Sequence, residues 1–72
     1  MSREEARRRF KRIAAARANR IIKDLQLLTN CSDRKNYEYT EEQKDKIFLP
    51  IERALAQTKS HFVTKNFNRI EL

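Results

Sequence analysis

The stretch RRRFKRIAAARANRIIK, residues 7–23, decides how this chain folds. Wound as a helix at about 100° per residue, it sends Phe10, Ile13, Ala14, Ala18 and Ile21 to one face. Leu25 and Leu28 carry that face further. The opposite side holds Arg8, Arg9, Arg12, Asn19, Arg20 and Lys23. One face asks for apolar cover and the other for negative charge.

Upstream, Ser2 with Glu5 three residues later has the S-x-x-E spacing of a capping box, and Glu4 and Glu5 fall where carboxylates favour the positive end of a helix dipole. The helix is therefore expected to begin at about residue 3. Neither Gly nor Pro interrupts it before residue 29, and its apolar positions keep three-to-four spacing throughout. Arg3, Arg7 and Arg17 project near the apolar face, where they are expected to border it with their stems while the charged heads reach water. Asn30 is expected to end the helix, since Asn tolerates the left-handed conformation that Gly otherwise supplies.

Downstream, CSDRKNYEYT has the turn formers Ser32, Asp33 and Asn36 and no helical repeat, so a loop over about residues 30–40 follows. That is long for a link between packed helices. Tyr37 and Tyr39 are the natural pins if their rings are buried; left open, the same rings are platforms on which bases can stack. Thr40 with Gln43 is a second capping box, T-x-x-Q, and opens a helix over about residues 41–62. Ile47, Phe48, Ile51, Ala54, Leu55, Thr58 and Phe62 fall within one arc of it. Pro50 costs a helix interior about 3 kcal/mol, so the helix either bends there or stops and restarts with Pro50 in its first turn. The stripe stays in phase across Pro50, which favours the bend.

The fold expectation is all-α: a two-helix antiparallel hairpin over residues 1–62, bent near Pro50, with a basic and apolar tail over residues 63–72. Phe67, Ile70 and Leu72 give that tail a docking character. With no Gly and one Pro among 72 residues, the turns of an all-β fold are poorly served. A chain this short builds a small core, and self-association into a dimeric four-helix bundle is one way to enlarge it.

Composition narrows the function classes. The net charge is +7, and residues 1–30 hold nine bases against three acids, so the excess belongs to the first helix. That points to nucleic acid or another polyanion as partner. Arginine outnumbers lysine seven to two there, and its planar fork pairs bidentately with phosphate and stacks on exposed bases. The candidate contacts are Arg8, Arg9, Arg12, Arg20 and Lys23, with Tyr37 and Tyr39 in the loop. A basic face that only keeps a small protein in solution is the bland alternative.

In composition the first helix resembles arginine-rich RNA-binding helices. In plan the chain is similar to the dimeric helical hairpins of small plasmid proteins that chaperone RNA pairing. The likeness implies RNA, ahead of DNA, as ligand and a homodimer as the working form. The competing reading is a non-enzymatic protein–protein interaction module, or a small subunit of a larger ribonucleoprotein assembly.

Catalysis has no comparable footing. His61 is the single histidine, Cys31 the single cysteine, and no Gly-rich phosphate loop or two-His metal spacing occurs, so no enzyme, cofactor or metal is expected. No run approaches the roughly 18 apolar residues of a membrane span, and a basic helix lying on a membrane is disfavoured because its apolar face is wanted by the second helix. The first residues lack the apolar core of a secretory signal, and an intracellular, cytoplasmic protein is the expectation.

Overall fold

A computed structural model describes residues 2–62. Among them there are two long helices, α1 (Arg3–Thr29) and α2 (Glu41–Ser60), a short 3-10 turn (Asn30–Ser32) after α1, and no strand. The all-α expectation is met. The chain divides between Glu38 and Tyr39 into two units, with α1 in the first and α2 in the second. The tail over residues 63–72 lies outside the described residues.

Local chemistry explains where α1 starts. Ser2 is extended and its Oγ accepts the Glu5 N–H at 3.1 Å, satisfying one of the orphan donors of the first turn. Instead of reaching back to the Ser2 amide, the Glu5 carboxylate accepts from the Ser2 hydroxyl at 3.2 Å. Both acids of the first turn then stand at the positive end of the dipole.

The end of α1 differs from the expectation. Asn30 has φ −63° and ψ −24°, so it stays right-handed, and no non-Gly residue among those described has a positive φ. The helix closes by tightening. The Asn30 N–H is shared by the Leu27 and Leu28 carbonyls, the Thr29 hydroxyl donates to Leu25 O at 3.0 Å, and the Ser32 hydroxyl donates to Thr29 O at 2.7 Å. The Asn30 amide thus serves the Leu27 and Leu28 carbonyls that a left-handed ending would otherwise serve, the Ser32 hydroxyl takes Thr29 O, and no left-handed Asn is needed.

Asp33 organises the loop. Its carbonyl accepts the Asn36 and Tyr37 amides at 3.2 and 2.9 Å, and its carboxylate accepts the Lys35 amide at 2.9 Å and the Asn36 side-chain amide at 2.8 Å. Four bonds to one residue make a compact Asx-type turn. Of the two expected pins, Tyr37 departs from the expectation: its ring is exposed and the turn is held by Asp33, whereas Tyr39 is half-buried.

The capping box of α2 forms in both directions. Thr40 Oγ1 accepts the Gln43 N–H at 3.1 Å, and Gln43 Oε1 accepts the Thr40 N–H at 2.9 Å. Behind it Lys44 reaches Glu41 at 2.8 Å and Asp45 at 3.5 Å, and Lys46 reaches Glu42 at 3.4 Å. The hydrogen bond to Glu41, with the charges of Glu41 and Asp45, holds the Lys44 ammonium above its ordinary pKa. A raised lysine contributes at neutral pH, and its contribution is lost only as the pH rises through the raised value. Replacing Thr40 by Ala removes the acceptor for Gln43 and is expected to cost α2 about 1 kcal/mol, read as a loss of helical circular dichroism in the variant.

Helix α2 runs unbroken through Pro50, so the stop-and-restart alternative is set aside. Proline offers no N–H to the Lys46 carbonyl four residues back, but Lys46 is exposed and water can take that place. The stripe therefore lies on one helix. Its far end is closed by bonds from the His61 and Phe62 amides to Thr58 O and Lys59 O, both at 3.0 Å, and Lys59 meets the negative end of the dipole.

Neither helix buries a residue. On α1, Ile13, Ala14 and Leu28 are half-buried, while Phe10, Ile21 and Leu25 are exposed. On α2, Ile47, Phe48, Ile51 and Leu55 are exposed as well. Each stripe is built, and among the described residues none of its side chains is fully buried.

Candidate nucleic-acid interface

A row of side chains is only as straight as the helix beneath it. Because α1 is continuous over its 27 residues, Arg8, Arg12, Asn19 and Lys23 keep one register along its outer side, with Arg9 and Arg20 beside them. All six are exposed. At 1.5 Å per residue the row from 8 to 23 covers about 22 Å, the axial length of about six phosphates of one duplex strand. Ala15 and Ala16, also exposed, leave the middle of that face flat, so a strand can approach the backbone closely.

The cations of this row are not neutralised locally. The ion pairs Lys44–Glu41, Lys44–Asp45 and Lys46–Glu42 lie in the first turns of α2 and involve none of these cations. Glu5 stands three, four and seven residues before Arg8, Arg9 and Arg12, a spacing that permits pairing, yet it pairs with none of them and holds the Ser2 hydroxyl. Asp24, four residues after Arg20, forms no ion pair with it either. Five positive side chains therefore face solvent with no carboxylate of the described chain within pairing distance.

The row has an end. Leu27 follows Arg20 by seven residues and is exposed, so the outer face turns apolar one turn beyond Lys23. Tyr37, 52% exposed, belongs to the same unit as α1. Tyr39, in the other unit, is half-buried.

A second basic cluster was not singled out by residue spacing. Arg3, Ala6, Arg7, Phe10 and Lys11 line one open groove of about 360 Å³ near the start of α1. The signal was available as Arg3, Arg7 and Phe10 at i, i+4 and i+7. The two arginines instead read as stems bordering a core.

No group of three or more potential metal ligands occurs among the described residues. Cys31 is an exposed free thiol in the 3-10 turn, and His61 is the exposed C-cap of α2. No helix among the described residues is long and apolar enough to cross a membrane. Set against known proteins, the chain matches no family model, no curated protein and no solved structure.

Proposed function

We propose that this chain is a small, non-enzymatic nucleic-acid-binding protein that grips the phosphate backbone through Arg8, Arg9, Arg12, Arg20 and Lys23 on the outer face of α1. The observation that carries the reading is the unpaired state of those five cations among the described residues, on a helix that keeps them in one register. A face evolved only for solubility gains from interleaved acids, which damp self-repulsion, and here the acids, Glu4, Glu5 and Asp24, stand at the two ends of the row with none between Arg8 and Lys23. RNA is favoured over DNA because guanidinium planes stack on splayed, unpaired bases, which folded RNA presents in loops and bulges. Tyr37 and Tyr39 are further stacking surfaces, Tyr37 the more open.

The fold that goes with this reading is the antiparallel hairpin. Helix α1 carries nine bases and three acids, whereas α2 carries four of each. Two copies of α1 side by side repel one another, and α1 beside α2 does not. Pairing the stripe of α1 with that of α2 removes exposed apolar surface and leaves the basic row outward. A second copy closing a four-helix bundle by the same alternation covers what one hairpin leaves open.

Fluorescence anisotropy with a labelled 20-nucleotide RNA tests the reading. The affinity is expected to fall linearly on a log–log plot against salt, with a slope near −3.5 for five single-strand phosphate contacts at roughly 0.7 each. A slope near zero, or no binding at 50 mM salt, contradicts it. A second reading is favoured by one observation, the exposure of Ile21 and Leu55 in the middle of their stripes. Here another protein covers the stripes and the chain is a small subunit of a larger assembly.

A further inference from the structure

Residues 30–38, from the end of α1 to the end of its unit, are all exposed, so no packed core explains their order. Asp33 supplies it instead. Its carbonyl and carboxylate accept four bonds, from the amides of Lys35, Asn36 and Tyr37 and from the Asn36 side chain. Such bonds fix a shape where burial does not. Tyr37 is held in that shape through its backbone amide, while its ring stands 52% exposed. An aromatic ring is thus presented on a backbone that is already ordered, which lowers the entropy lost when a flat partner covers it.

The neighbours of the ring narrow what that partner is. Residues 30–38 hold no aliphatic side chain and no second aromatic one, whereas an anchor for another protein wants a desolvated apolar pocket around it. The segment is also neutral, Arg34 and Lys35 balancing Asp33 and Glu38, so it has no surplus charge with which to grip phosphate. A nucleobase fits both conditions: it needs one open aromatic face, provided its phosphates are gripped elsewhere. That grip is in the same unit. The row on α1 ends at Lys23, about 9 Å before Thr29, the last residue of the helix, and a strand leaving the row in that direction comes next to the turn. We propose that the turn is a stacking site for one unpaired nucleobase of the strand gripped by α1, with Tyr37 as the platform and Asp33 as the positioning residue that sets it. The proposal rests on the reading of α1 as a nucleic-acid-binding helix and deepens it by naming the ligand class: a strand with at least one base free of a duplex, since paired bases keep their faces stacked on one another.

The test uses the full chain, the labelled 20-nucleotide single-stranded RNA and a blunt 20-base-pair RNA duplex. Tyr37→Leu is expected to weaken the single strand about tenfold, within the range of base–aromatic stacking, and to leave the duplex within twofold. Because the ring carries no charge, the slope of affinity against salt is expected to stay the same. Tyr37→Phe keeps the ring and is expected to bind the single strand within about twofold of the unaltered chain. Asp33→Ala is expected to weaken the single strand about threefold, the order of loss for one side chain no longer held in place. On charge alone, removing a carboxylate would tighten the hold on a polyanion, so a loss reports the turn. Asp33→Asn keeps an acceptor for the Lys35 amide and is expected to bind no more weakly than the unaltered chain. Equal binding of the single strand by Tyr37→Leu and the unaltered chain overturns the inference and leaves the outer-face reading standing, as does a loss in Tyr37→Phe as large as in Tyr37→Leu. Tighter binding of both probes by Asp33→Ala reduces Asp33 to a charge and overturns its positioning role. If the unaltered chain binds neither probe at low salt, the reading of α1 itself fails and this inference with it. Circular dichroism of Tyr37→Leu and Asp33→Ala equal to that of the unaltered chain keeps a folding defect from imitating the expected result.

Discussion

Replacing Arg8, Arg12 and Lys23 together by Gln is expected to weaken RNA binding roughly a hundredfold at low salt while leaving helicity unchanged. Each of the three contributes a charge-assisted contact to phosphate, and three such contacts at about 1 kcal/mol apiece amount to about two powers of ten. Glutamine is nearly as good a helix former as Arg or Lys, so α1 keeps its propensity. None of the three side chains is in an ion pair among the described residues, so the substitution breaks no such bond. The salt dependence supplies an internal check. Removing three single-strand phosphate contacts should flatten the log–log slope by about 2. Loss of helicity in the variant, seen by circular dichroism, would instead make the row part of the fold.

The second large effect concerns the apolar stripes. Leu25→Asp or Ile51→Asp is expected to remove cooperative thermal unfolding, because an aspartate placed in a paired stripe combines lost apolar burial with an unpaired buried charge, at about 3 kcal/mol or more. A chain of 72 residues has little more than that to lose. Leu27→Asp is the control. Leu27 is more exposed than either and lies off the stripe, on the outer side of α1, and its replacement should change stability by no more than about 0.5 kcal/mol. Equal behaviour of all three variants would mean that the stripes of α1 and α2 do not pair. Sedimentation of the unaltered chain and of Leu25→Asp then reports whether a second copy takes part.

Much of the helical frame was legible because helix starts are written in short, directional signals. Ser2 with Glu5 and Thr40 with Gln43 place both N-termini; the second pair satisfies both donors of its box, whereas the first satisfies the Glu5 amide and turns the Glu5 carboxylate to the Ser2 hydroxyl instead of its amide. Helix ends carry weaker signals. Asn30 can end a helix left-handed, but its amide reaches the Leu27 and Leu28 carbonyls and the Ser32 hydroxyl takes that of Thr29, and that local solution needs no unusual φ. Asp33 was legible only as a turn former. Its four bonds depend on the positions of Lys35, Asn36 and Tyr37 around it, which periodicity does not encode. Pro50 was read through its average cost, and the exposed surroundings of Lys46 make the lost bond tolerable there.

The candidate interface divides in the same way. The row from Arg8 to Lys23 follows from register alone, and a continuous α1 leaves it as the sequence orders it. The groove around Phe10 did not follow, because an aromatic residue on an apolar stripe reads as core by default. What separates it is the company it keeps, Arg3, Arg7 and Lys11, and that became visible once the side chains were placed around one opening.

Backbone amide resonances followed by NMR during titration with a single-stranded RNA test the central claim most directly, since each residue reports for itself. The expected result is that shifts and line broadening concentrate on α1, at Arg8, Arg9, Arg12, Ala16, Asn19, Arg20 and Lys23, while the amides of α2 from Glu52 to Ser60 stay in place. Perturbations confined to α2, or to Ile21, Leu25 and Leu28 on the opposite side of α1, would contradict the outer face as the binding surface.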